Sequence, residues 1–574
     1  MKVVSVVSLE VLPCRFCITA ILVTALSAVL LPVGAAGAAE PFIPFSRGVM
    51  TDIDGSEKPS EADIIKSIPF LAAGGEFEPF SLALYAETSG EWSIETGDLV
   101  SGDAVIPASS LEISALRYGN PGRYSYFEDW TLEPGAVSVT LEIGKTAWLW
   151  LTLHVPEQAA PGDYTGSISF VNGTERLSIP VHLEVLPFDL EPADGVNFYL
   201  LSTISPYGQY YRAVKDPASV RPKAVDFYRE LKDHGMTGLS AKSTDFPYIK
   251  GDIDGLIAEV EAALEAGLDG PVLWNMTALI DAAKGGDSYD FNGRMDNWNK
   301  AEGLARLRDI RERVVAESKK RGWPEVIYYP IDEPGTQFED RRFLLQSMHL
   351  LVVLSREIGR LDARAHSTIT ECVDERHNTL PEFSVYPDQM RDLWDEARPY
   401  LHIRNYGYGY PQGRTNLFHE MADARNRGQE VWFYYNKAIQ SRDRFSGRMY
   451  FGLWGWKVRA RGLTAWTYPG GRTVQFELVR EGIDDFKYLA LLEKLLDTGG
   501  SESGAAKAAR AFLDSIAESV FLDDNGFIGN WEKTAAVFAE RQGFDTGSSD
   551  TVFLDLKRRT AGHIQSILTK KPQR

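Results

Sequence analysis

Between residues 196 and 468 the chain repeats one pattern. A short apolar, aromatic or β-branched run is followed, in most repeats, by a longer stretch with apolar residues at helical spacing. The strand candidates are VNFYLLSTI (196–204), GMTGLSA (235–241), GPVLWNM (270–276), EVIYYPI (325–331), ARAHSTIT (363–370), YLHIRNY (400–406), EVWFYYN (430–436) and GLTAWTY (462–468). Amphipathic stretches such as 223–235, 254–267 and 303–322 lie between them. Eight such strands over roughly 270 residues are what a (β/α)8 TIM barrel requires, and a doubly wound sheet is the main structural rival.

The flanks read differently. From about residue 41 to 187 the runs FSLALYA (80–86), AWLWLTLHVP (147–156), YTGSISFV (164–171) and LSIPVHLEVLP (177–187) alternate at period two or are continuously apolar. Turn signals such as PGDYTG (161–166) separate them, as in a β-sandwich. Past about Phe476 the pattern is helical to the end. The expected fold is therefore multidomain β plus α/β: a signal peptide over 1–39, a β-sandwich over 40–190, a (β/α)8 barrel over 191–480 and a helical C-terminal extension over 481–574.

The most chemically suggestive stretch is YYPIDEPG (328–335), at the carboxyl end of the fourth strand candidate. In a barrel that face carries the active site. Adjacent carboxylates repel, so Asp332 raises the proton affinity of Glu333, which suits a general acid. The bland alternative is a pair of turn or helix-cap acids. Neither the seventh strand (WFYYN) nor the eighth (AWTYPGG) ends in a carboxylate, although Glu371, Asp374 and Asp443 lie in loops that could reach the mouth. A conventional retaining glycosidase needs a second acid about 5 Å from the first.

Three tracts carry a family resemblance: GGEFEPFSLALYA (74–86) with APGDYTGSISF (160–170), IDEPG (331–335), and YFGLWGWKVRARGLTAWTYPGG (450–471) followed by ELVREGIDDFKYLALLE (477–493). In this order they resemble the glycoside hydrolase family 123 superfamily. The resemblance implies a β-sandwich followed by a catalytic barrel. It also implies a retaining N-acetyl-β-galactosaminidase whose nucleophile is the substrate's own 2-acetamido oxygen. Glu333 would then be the general acid and base, and Asp332 would orient the acetamido group. A glycosidase of the same fold acting on sugars without that group, and an inactive glycan-binding protein, remain the alternatives.

Tyr406, Tyr435, Trp466 and Tyr468 stand at or near predicted strand ends, where aromatic rings stack on sugars or simply pack. Trp274, Asn275 and His366 hold similar strand-end positions. Trp454 and Trp456 read as core. Arg480, Glu481, Asp484 and Asp485 read as the start of a helix whose apolar stripe is Phe486, Leu489 and Leu492. TDIDG (51–55) and GDIDG (251–255) do not complete a calcium loop, and no motif calls for a cofactor or a metal.

The N-terminus supplies the localisation. Basic Lys2 and Arg15 flank apolar stretches, and the run Ile18–Leu31 leads into small residues with Ala36 and Ala38 before Ala39, the pattern of a cleavable export signal. The run is short for a membrane span, and an uncleaved membrane anchor is the alternative reading. Cleavage would leave Cys372 as the sole cysteine and no membrane-spanning segment, with export to the periplasm or the exterior. A formal charge of −20 argues against a nucleic-acid partner and is neutral toward a glycan.

Overall fold

The run TAWLWLTLH at Thr146–His154 sets the layering. Residues 148 to 153 are all buried, although a strand with one solvated face would bury only alternate positions. Leu149, Leu151 and Leu153 face a second sheet, whereas Trp148 and Trp150 face the opposite way, into the core shared with the rest of the protein. A sheet covered on both faces explains the unbroken apolar sequence.

The computed structural model describes residues 40–120, 128–201, 217–242, 253–275, 301–329, 352–356, 366–369, 395–408, 417–499, 503–545 and 549–569. The sheet containing Thr146–His154 runs, in order, Phe42–Phe45, Phe77–Ala86, Thr146–His154, Leu111–Gly119 and Asp129–Pro134, antiparallel throughout. Its partner sheet runs Ile68–Gly74, Glu175–Asp189, Gly162–Asn172, Gly90–Thr96 and Ser138–Leu141, with the short strands Leu99–Ser101 and Ala104–Ile106 branching from Gly162–Asn172. Here Ile68–Gly74 pairs in parallel with Glu175–Asp189, a pairing that alternation cannot reveal. Leu82, Leu84, Trp92, Phe170 and Val181 fill the space between the sheets.

The eight strand candidates of the α/β region are all present. They are numbered here β1 (Asn197–Leu201), β2 (Ser240–Lys242), β3 (Val272–Asn275), β4 (Val326–Tyr329), β5 (His366–Ile369), β6 (Ile403–Gly407), β7 (Glu430–Tyr434) and β8 (Gly462–Trp466). Every pairing is parallel, in two sheets ordered β1-β8-β7-β6-β5 and β2-β3-β4. Both sheets contribute to one buried cluster: Tyr199 of β1, Leu273 of β3, Ile327 and Tyr329 of β4, Ile403 of β6 and Trp432 of β7. The Tyr199 and Trp432 rings stack with centroids 5.6 Å apart. A Cβ at Gly462 would lie 2.2 Å from the Trp432 ring, so only glycine lets β8 pass beside it.

Helices α1 (Pro217–Asp233), α2 (Asp254–Glu265), α3 (Ala301–Arg321) and α4 (Leu417–Asn426) alternate with these strands. After β7 come α5 (Arg444–Met449) and a π-helical turn at Tyr450–Trp454. After β8 come α6 (Val474–Gly499), α7 (Gly504–Ser519), α8 (Trp531–Gln542) and α9 (Ser549–Leu568). Trp454 and Trp456 are buried, as their setting in the sequence suggests.

One expectation is corrected. Arg480, Glu481, Asp484 and Asp485 do not open a helix, because α6 already begins at Val474. They lie in its middle turns and are buried, so ion pairing rather than the helix dipole accommodates their charge. Arg480 binds Glu477 at 2.5 Å, and Asp485 binds Arg448 at 2.8 Å. The expected boundary at residue 480 consequently falls inside a helix. Phe486, Leu489 and Leu492 are buried as expected.

The sandwich is bolted to the α/β region within one compact unit, Pro41–Arg574. Leu132 N donates to Arg472 O at 2.9 Å. The guanidinium of buried Arg444 binds Asp129 at 2.7 Å and Asp52 at 2.8 Å, which gives the TDIDG tract a structural role. Removing one partner of a buried ion pair strands the other charge. Arg444→Ala should therefore cost about 3–5 kcal/mol of stability in urea unfolding, and loss of less than about 1 kcal/mol would show that the bolt is dispensable.

Candidate active site

Parallel neighbours in register point the same way, and successive residues point to opposite faces. Leu201 packs on the interior cluster and is paired with Trp466, while Tyr199 is paired with Thr464 and Thr464 with Tyr434. Tyr434 and Trp466 therefore stand on the interior face at the carboxyl ends of β7 and β8, above buried Trp432. Both are half-buried. Gln440 Nε2 donates to the Trp466 carbonyl at 3.0 Å, and Thr464 Oγ1 donates to Phe433 O at 3.0 Å, holding the ends of β7 and β8 in place.

Tyr435 stands on the other face. Its hydroxyl accepts from Trp531 Nε1 of α8 at 3.2 Å. Beside it Tyr408, just past β6, accepts from Ile528 N at 2.7 Å and donates to Ile528 O at 3.0 Å. The two tyrosine rings lie 4.4 Å apart, with Trp454 at 4.9 Å from Tyr408. Burial pushes the Tyr408 phenol well above its ordinary value, so it stays a neutral donor. The helical C-terminal region thus braces the carboxyl ends of β6 and β7 with an aromatic wedge.

The remaining sequence candidates are dispersed. Tyr406 is buried on the outer face and donates to Glu420 of α4 at 2.5 Å, above an Arg404 that binds Glu420 at 3.1 Å and Asp423 at 2.7 Å. Trp274 is fully buried on the helix side of β3, 5.9 Å from the Tyr328 ring. Tyr468 donates to Glu230 of α1 at 3.1 Å and packs edge-on against Phe227 at 4.9 Å. Asn275 ends β3, as expected. His366 opens β5, whose carboxyl end is Ile369, so its expected strand-end position is corrected. A strand's direction is legible in the sequence, but its first residue is not.

Asp332 and Glu333 lie outside the described residues, as do Glu371 and Asp374. Asp443 accepts from Phe445 N at 3.1 Å and caps α5. Among the described residues, no cluster of three or more His, Cys, Asp or Glu is placed to hold a metal ion, and no helix is long and apolar enough to cross a membrane. Tyr434 is the residue that the strand-end criterion passes over in favour of its neighbour Tyr435. The signal for it is parity with Trp432, which becomes visible once Trp432 is known to be interior.

Near Tyr468, His234 Nε2 lies 2.9 Å from Glu477 Oε1, and its ring stacks on Phe476 at 3.9 Å. Burial works against the Glu477 carboxylate, but Arg480 and His234 outweigh it and hold the carboxyl down to about 2. A carboxyl held below its ordinary value stabilises the fold above about pH 4.5, and that contribution fades as pH falls toward 2. Glu477→Gln should cost roughly 3 kcal/mol at pH 7 and flatten the acid limb of stability between pH 5 and 2. Parallel acid limbs for the two proteins in urea titrations would contradict this. Trp531→Phe, which keeps a ring but removes the donor to Tyr435, should cost about 1 kcal/mol by the same measurement.

No protein-family model and no curated protein matches the chain. Among solved structures it is similar to a family 123 glycoside hydrolase from Clostridium perfringens, with a TM-score of 0.56 at 12% identity, covering 88% of this chain and 96% of that one. Weaker similarities, which carry no argument, are to a β-mannanase from the blue mussel Mytilus edulis (TM-score 0.30, 12% identity, 51% of this chain and 90% of that one) and to β-glucuronidase 3 of Bacteroides uniformis (TM-score 0.26, 13% identity, 73% and 50%). The likeness to the Clostridium perfringens hydrolase is one of fold over most of both chains: the β plus α/β architecture is shared with a glycoside hydrolase.

Proposed function

We propose that the protein is an exported glycoside hydrolase that removes a terminal β-linked N-acetylhexosamine, N-acetylgalactosamine being favoured, and that its two parallel sheets close into a (β/α)8 barrel. The cyclic strand order and the interior cluster drawn from both sheets support closure. The likeness to the Clostridium perfringens hydrolase supports the reaction class. The observation that carries the mechanism is at the strand ends. β1, β7 and β8 end in Leu201, Tyr434 and Trp466, none of them an acid, and the nearby Asp443 serves as a helix cap. With no opposing carboxylate at those strand ends among the described residues, the nucleophile is assigned to the substrate's 2-acetamido oxygen.

In this reading Glu333 protonates the leaving oxygen and then activates water. Asp332 orients the acetamido group and stabilises the positive charge that develops as its oxygen attacks the anomeric carbon. Tyr434 and Trp466 supply aromatic surface to the sugar at the mouth. The test is hydrolysis of p-nitrophenyl β-N-acetylgalactosaminide, the glucosaminide and the plain β-galactoside. Activity should be confined to the acetamido sugars. Glu333→Gln should lower kcat about 10²–10⁴-fold, Asp332→Asn should likewise abolish turnover of the acetamido sugars, and Trp466→Ala should raise KM several-fold with a smaller effect on kcat. Activity on the plain galactoside that survives Asp332→Asn would overturn the mechanism.

A further inference from the structure

Where the sandwich meets α5, α6 and α9, the charges do not balance. Glu76 and Glu78 of the sandwich, Glu481 and Asp485 of α6, and Asp550 of α9 converge on two cations, Lys557 of α9 and Arg448 of α5. Three of the acids are well served. Glu76 accepts from Lys557 at 2.5 Å, from Tyr488 OH at 2.7 Å and from Ala73 N at 2.8 Å. Asp485 holds Arg448 at 2.8 Å. Asp550 accepts from Met50 N at 2.9 Å and from Val49 N.

Glu78 and Glu481 are not. Glu78 shares Lys557 with Glu76. Glu481 reaches Arg448 only at 3.6 Å, and its Oε1 is buried with no hydrogen-bond partner among the described residues. The surrounding charges are already committed: Arg480 to Glu477 at 2.5 Å and Lys487 to Asp484 at 2.8 Å. His154 stacks on Phe77 at 4.1 Å on the sandwich side, where burial favours its neutral form. Surplus buried negative charge is costly unless it is neutralised.

We propose that this junction is a proton-operated clasp: a proton held on Glu78 or Glu481 lets the sandwich seat on α6 and α9, and its loss at higher pH loosens the seat. Consistent with this geometry, burial pushes Glu78 up to about 7 against the pull of Lys557, with Glu76 adding to the rise. Burial also raises Glu481, and the charge on Glu78 raises it further. Burial lifts Asp550 to about 6 against Arg448. Carboxyls raised in the fold contribute stability that is fully present below about pH 4 and lost as pH climbs through 6 and 7. Each proton lost raises the unfolding constant by at most about tenfold per pH unit.

The experiment uses the full chain from pH 5 to 9. It measures Tm and hydrogen–deuterium exchange in segments 77–86 and 549–568, corrected for the intrinsic pH dependence of exchange. The proteins are wild type, Glu78→Gln, Glu481→Gln and a control, Glu95→Gln, at an exposed pair with Arg176. Wild type and control should lose Tm between pH 6 and 8 and exchange faster in both segments, whereas the two junction variants, in which Asp550 and one of the two glutamates still titrate, should lose clearly less of both. A flat wild-type profile, or junction variants that fall in parallel with wild type, would overturn the clasp. Should Glu78→Gln fail to fold, the same comparison with Glu481→Gln decides.

Discussion

Burial of Thr146–His154 on both faces is the constraint from which the architecture follows. Its leucines complete the sandwich core, and its tryptophans belong to the core of the α/β and helical regions. A fully buried tryptophan withdraws about 200 Å² from water, worth about 5 kcal/mol at 25 cal/mol per Å² as an upper bound. One strand thus commits the sandwich to a fixed seat. The polar bolts at Arg444 and Lys557 add direction to that apolar seat, because ion pairs tolerate misplacement poorly.

The other organising element is the interior cluster around Tyr199 and Trp432. It draws side chains from both parallel sheets and fills the space below Tyr434 and Trp466, so those strand ends rest on packed side chains. Outside the strands, the wedge of Tyr408, Tyr435 and Trp531 ties the carboxyl ends of β6 and β7 to the C-terminal helices. That explains how helices remote in sequence from β6 and β7 bear on the carboxyl ends of those strands.

Much of this was legible early, for identifiable reasons. All eight strand candidates of the α/β region are strands, since short apolar runs separated by amphipathic stretches leave little alternative. Trp454, Trp456 and the stripe of Phe486, Leu489 and Leu492 are core as their spacing suggests. The acids of α6 misled, because a cluster of charge beside an apparent helix start is normally solvated. Here it is buried among cations from α5 and α9 that local sequence cannot reveal. Among the aromatic candidates, Tyr406, Tyr435, Tyr468 and Trp274 sit on the helix side, and Tyr434, one residue from Tyr435, takes the interior position. A one-residue change in register reverses every side chain of a strand, and no local rule sets that parity in a continuously apolar run.

By itself, then, the sequence determined the order of β, α/β and helical regions, the parallel strands and the position of the acid pair after the fourth of them. Those depend on periodicity and turn chemistry, which are local. The tertiary structure alone decided which face of each strand is interior, which charged residues are buried together, and that the sandwich and the last helices share one core. Those depend on contacts between segments far apart in sequence, such as Glu78 with Lys557 or Tyr435 with Trp531, and no window of the chain contains both partners.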